Sequence, residues 1–133
     1  MAAAKLVEEL TRTALGRYAI AVIGEEPRLA YNRVLLSSVL AGEVASHDIE
    51  LKPASWWRDR GVTLKYATRV TEIDVGRREL KVENDESMAF SKLVLATGSL
   101  PLRLNVPGAD LAGVHTFRDL SLIHISEPTR LRR

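Results

Sequence analysis

The chain has 133 residues, enough for one ordinary domain, and at 46% hydrophobic and 27% charged it can bury a core. It has no cysteine, which excludes a disulfide framework, a thiolate nucleophile and a cysteine-ligated metal site. Residues 121–133 hold three arginines against one acid, which is the whole net charge of +2, so residues 1–120 are formally neutral. No basic footprint for nucleic acid remains in the folded part. No run of eighteen apolar residues suggests a membrane span. The acids in Met1-Ala-Ala-Ala-Lys-Leu-Val-Glu-Glu do not suit a signal peptide, so a cytoplasmic protein is the expectation.

In chain order, Ala3, Leu6, Val7, Leu10 and Ala14 recur at helical spacing and predict a helix over 2–15. Lys5 and Glu9 form an i,i+4 pair, and Gly16 suits the C-terminal end. No Ser, Thr, Asp or Asn caps the start. Residues 18–24, YAIAVIG, are a nearly continuous apolar run, as in a buried parallel strand. Residues 31–40 and 54–60 read as short helices stopped by Gly42 and Gly61, and 62–66 as a further strand.

The pattern then changes. Val70, Ile73, Val75, Leu80 and Val82 alternate about polar turns at 76–78 and 84–86, and with 88–90 they predict a three-stranded antiparallel meander. Residues 92–96, KLVLA, return to the buried-strand type before Thr97-Gly98-Ser99. The expected fold class is α/β, a partial Rossmann-like domain whose strands 18–24, 62–66 and 92–96 run parallel, with the meander beside it.

A dinucleotide unit needs a strand, a glycine-rich turn, a helix, a second strand and an acid at that strand's end. The helix, second strand and acid (Glu25) are here. The first strand and its glycines are not, so 1–120 is expected to be a partial FAD/NAD(P)-binding domain. Glu25 alone decides little, since many acids merely end strands.

Two further segments add weight. Residues 93–101, LVLATGSLP, resemble the segment at the flavin nucleotide in proteins with two dinucleotide domains. Residues 30–42, AYNRVLLSSVLAG, resemble the flavin-side loop and helix of the same group. With VIGEEP at 22–27, these resemble the FAD-dependent pyridine nucleotide oxidoreductases, most like the branch of the NAD(P)H-nitrite reductase large subunit and rubredoxin-type reductases.

The resemblance implies site roles. Glu25 would hold the adenosine ribose, and Arg33 would lie near the flavin phosphates, where a guanidinium fork suits phosphate oxygens. The Val70 backbone would meet the adenine, while Ala96, Thr97 and Gly98 would line the nucleotide. It implies FAD as cofactor. In an intact parent, NAD(P)H would pass electrons through FAD to an acceptor such as a nitrite reductase centre, in nitrate assimilation. The alternatives are a truncated product without catalysis and a simple nucleotide-binding module. Disulfide reductases of this superfamily carry a redox cysteine pair after the second strand. This chain has none, so that reaction is excluded.

Other residues carry blander readings. Trp56 and Trp57 are about 100° apart on a helix, so at most one is core. His47, His115 and His124 lack metal spacing, and Ser37 and Ser38 lack a nucleophile elbow. From about residue 120 the text stops fitting the family. Residues 121–130, SLIHISEPTR, read as translated sequencing adapter rather than a divergent native C-terminus, and this tail is expected not to pack.

Overall fold

The computed structural model describes residues 1–121. They fall into two units: Met1–Tyr31 with Glu50–Ala96, and Asn32–Ile49 with the segment that begins at Thr97. The expectation that the tail does not pack concerns 121–133, which lies almost wholly outside the described residues.

The first unit opens with helix α1, Ala2–Thr13. Alanine, leucine and glutamate favour the helix, and ion pairs lace its exposed side: Lys5 to Glu8 at 2.9 Å, Lys5 to Glu9 at 3.3 Å and Arg12 to Glu9 at 2.7 Å. Its buried stripe is Ala4, Val7 and Thr11, one face of the 3.6-residue period. The Thr11 hydroxyl donates back to the Val7 carbonyl at 2.8 Å, so its burial leaves no orphan donor. The helix ends at Thr13, two residues short of expectation, and Gly16 makes the turn at φ +75°.

Strand β1, Ala21–Ile23, pairs in parallel with β2, Thr63–Lys65. The ladder reaches one bond further at each end, from Thr63 N to Ile20 O and from Gly24 N to Lys65 O, both 2.9 Å. Between the strands lies α3, Ala54–Asp59. Trp57 on α3 is 2% exposed and packs with Ala4, Val7 and Val62, against which Ile20, Val22, Leu29, Leu51 and Leu64 lie. Trp56 meets it edge-on at 5.0 Å between ring centroids. As helix geometry requires, one of the two tryptophans is core and the other is not fully buried.

The meander forms as expected. Strands β3 (Val70–Asp74), β4 (Glu79–Val82) and β5 (Ser87–Ala89) make an antiparallel sheet in that order. A bulge sits between Val70 and Glu72. Asp74 accepts the Arg77 amide at 2.9 Å to close the first turn, and Lys81 pairs across the strands with Glu72 at 2.9 Å. Leu80 and Val82 are the buried side chains of this sheet.

One expectation fails. Residues 92–96 form no strand, and all are exposed, with Val94 64% and Leu95 67% accessible. A parallel strand persists only where a neighbour supplies its ladder bonds. Among the described residues β1 pairs with β2 alone, and residues 92–96 pair with no strand. The architecture is therefore mixed α/β, with a two-stranded parallel sheet and a three-stranded antiparallel one.

The second unit contains a 3-10 turn at Arg33–Leu35 followed by α2, Leu36–Leu40. The Asn32 side chain caps the turn by accepting the Val34 amide at 3.1 Å. Gly42 follows α2 at φ +76°. Leu36, Val39, Ile49 and Leu120 are buried.

Candidate functional site

The end of β1 is built from the backbone outward. Beyond the Gly24–Lys65 bond the chain turns at Glu25. The Thr68 amide donates to the Gly24 carbonyl at 2.9 Å, and the Ala67 amide to the Glu26 carbonyl at 3.2 Å. These two bonds lace the loop after β2 to the loop after β1. Ala67 sits at φ +46°, a left-handed conformation costly for a residue with a Cβ.

The two adjacent acids have separate fates. Glu26 is half-buried, and its Oε2 accepts the Tyr31 hydroxyl at 2.6 Å. The Glu25 side chain is 73% exposed, with Oε1 3.9 Å from Nη1 of Arg69. Glu25 is thus the acid able to offer its carboxylate to a ligand. Val70, next after Arg69, opens β3 opposite Val82 and is half-buried. The Arg69 carbonyl is pinned by the Glu83 amide at 3.0 Å. Burial, with the Glu50 carboxylate as a second cause, raises the Tyr66 phenol above its ordinary value, so it stays neutral beside this loop. Ala96 is exposed and outside any strand.

Arg33, Thr97 and Gly98 belong to the second unit. Arg33 Nη1 donates to the Arg118 carbonyl at 2.8 Å. Gly98 has φ +72°, and a Cβ placed on it would lie 3.5 Å from Nη2 of Arg118. Space would tolerate a side chain there; the backbone angle is what favours glycine. Thr97 is exposed. Arg118 therefore joins Arg33 and Gly98, a role sequence reasoning missed. The only available signal was its place in the family-like stretch 113–119, since 85 residues separate it from Arg33.

The described residues can be tested against an adenine dinucleotide. The first unit offers an exposed carboxylate at a parallel strand end, tied by backbone bonds to the segment entering β3. In the second unit a guanidinium, a left-handed glycine and a second arginine stand together. The sequence contains no G-x-G pair, so the glycine turn that meets a pyrophosphate is not among these residues. No cluster of three metal-ligand side chains occurs among the described residues. His47 is exposed beside Asp48 at 3.2 Å. No helix among the described residues is long and apolar enough to cross a membrane.

The family profile described as pyridine nucleotide-disulphide oxidoreductase matches residues 1–127. The chain is 38% identical over 120 residues to the assimilatory nitrate reductase electron transfer subunit of Bacillus subtilis (strain 168), covering 90% of this chain and 16% of that protein. It is 36% identical over 120 residues to nitrite reductase [NAD(P)H] of the same strain, covering 90% of this chain and 15% of the relative. It thus spans less than one fifth of the length of these relatives. Among solved structures, the ferredoxin reductase for the CYP199A2 system from Rhodopseudomonas palustris superposes with a TM-score of 0.79 at 29% identity, over 90% of this chain and 30% of that one.

Proposed function

This chain belongs to the pyridine nucleotide-disulphide oxidoreductase family, and on that premise we propose that it is part of the FAD-binding domain of an NAD(P)H-dependent flavin oxidoreductase of the nitrite reductase type. In this reading residues 1–120 are the partial domain, the glycine turn lies outside the sequence given, and 121–133 is a tail foreign to the family. The parent passes electrons from NAD(P)H to an acceptor such as a nitrite reductase centre in the cytoplasm.

The observation that carries the proposal is the strand-end geometry. The parallel β1–β2 pair ends at Glu25, and backbone bonds tie that end to the loop leading into Val70. FAD, when bound, supplies the hydride chemistry. The Glu25 carboxylate accepts the ribose hydroxyls, and the Val70 backbone meets the adenine edge. Arg33, set by its bond to Arg118, contributes guanidinium charge for the phosphates. Ala96, Thr97 and Gly98 carry little side-chain bulk and allow close backbone approach.

Flavin titration tests this reading. The 133-residue chain should bind FAD weakly or not at all and show no NAD(P)H oxidase or reductase activity, because the main phosphate contact is missing. A longer product that includes a strand and G-x-G upstream should bind FAD, and Glu25→Ala or Arg33→Ala should weaken it. A yellow, stoichiometric flavoprotein purified from the present chain would refute the proposal. Binding of an adenosine nucleotide by the longer product without flavin would favour the simple nucleotide-binding module.

A further inference from the structure

We propose that Arg69 is a positioning residue for Glu25: it aims the strand-end carboxylate at a ribose bearing both hydroxyls, so the site selects ribonucleotides over their deoxy analogues. The inference rests on the reading of Glu25 as ribose acceptor and assigns how that selectivity arises.

The bases of both side chains are fixed by backbone bonds. Gly24 and Glu26, on either side of Glu25, accept from Thr68 and Ala67, and the Arg69 carbonyl accepts from Glu83. The unfavourable φ of Ala67 is held within this lacing. The side chains then meet at 3.9 Å, longer than a direct hydrogen bond, and are 63% and 73% exposed. A surface pair of this kind contributes little to stability, but it can bias direction. Glu25 is an exposed side chain, and binding a ribose costs such a side chain rotamer freedom. A carboxylate has about four lone-pair sites. A guanidinium near Oε1 leaves Oε2, with its two lone pairs, for two hydroxyls. Arg69 also directly precedes Val70, so the residue that aims the acid is continuous with the backbone proposed to meet the adenine.

The test uses the 133-residue chain, because Glu25, Arg69 and Val70 all lie in one unit. Isotope-labelled protein is titrated with millimolar ADP and with 2′,3′-dideoxy-ADP, and both dissociation constants are read from amide shifts. The wild-type chain should prefer ADP, and Arg69→Ala should reduce that preference roughly three- to tenfold, within the coupling range of side chains in contact. Arg69→Lys should keep most of it. Glu25→Ala should abolish it, and adding Arg69→Ala to Glu25→Ala should change nothing more. A preference unchanged in Arg69→Ala, or additive effects in the double variant, would overturn the role of Arg69 while leaving Glu25 in place. An ADP affinity unchanged in Glu25→Ala would remove the reading of Glu25 itself. No ADP shift in the wild-type chain would overturn this inference and leave the flavin reading to its own titration.

Discussion

The Arg33 guanidinium and the Arg118 carbonyl, 85 residues apart, meet at 2.8 Å. This bond joins the start of the 3-10 turn to the end of the described chain, within one unit. Its donor is charged, which makes it stronger than a neutral bond. Arg33→Ala should cost about 1–3 kcal/mol locally, the range for stranding a partly buried acceptor. Hydrogen exchange checks this: amides of 32–40 and 118–121 should exchange faster, while those of β1 and β2 should not change. Uniform acceleration would show that the bond supports more than its own unit.

Glu8 sets a pH dependence. Hydrogen bonds from Lys52, and then from Lys5, hold its carboxyl at about 2, far below the ordinary 4.5, against the opposing effect of burial. The Lys52 contact is 2.7 Å, between side chains about one third exposed. A carboxyl with a lowered folded-state value binds its proton later than in the unfolded chain. Its contribution is therefore complete above pH 4.5 and is lost as pH falls toward 2. Glu8→Gln should flatten the stability profile in that window and leave its slope near neutrality alone. Denaturant midpoints from pH 6 to pH 2 would measure this; parallel curves for the two proteins would count against it.

Trp57 and Trp56 should respond very differently to truncation. Trp57→Ala opens a cavity among Ala4, Val7 and Val62 and should cost about 3–5 kcal/mol. Among the described residues no acceptor meets the Trp57 indole N–H. Trp57→Phe should therefore cost much less, because it removes an unsatisfied donor together with volume. Trp56 is covered by Arg60, at 4.2 Å, and Lys52, at 5.2 Å. Trp56→Ala should lose about 1 kcal/mol, the scale of exposed cation–π contacts. Chemical denaturation of the three variants tests the order.

Residues 92–96 should control solubility. Leu93, Val94 and Leu95 are exposed without a pairing strand, the arrangement that invites edge-to-edge association. Val94→Lys should lower light scattering at high concentration and leave the melting temperature nearly unchanged. Equal scattering from both proteins would place the association surface elsewhere.

The order of elements was legible because its signals are local. The stripe of Ala4 and Val7, the run from Ile20 to Gly24 and the alternation from Val70 to Val82 each report a backbone period. Gly16, Gly42 and Gly61 mark the ends because their left-handed angles suit only glycine comfortably. Glu25 was legible as an acid after a strand, although its separation in role from Glu26 came only with the Tyr31 bond. Three things waited for the tertiary structure. Residues 92–96 have a strand's composition, but strand formation belongs to the neighbour as much as to the segment. The pairing of Arg69 with Glu25 depends on how two loops are laced, and the bond from Arg33 to Arg118 spans 85 residues that no local pattern can connect. Propensity acts over a few residues, whereas each of these features is a distance between segments, set only when the chain has packed.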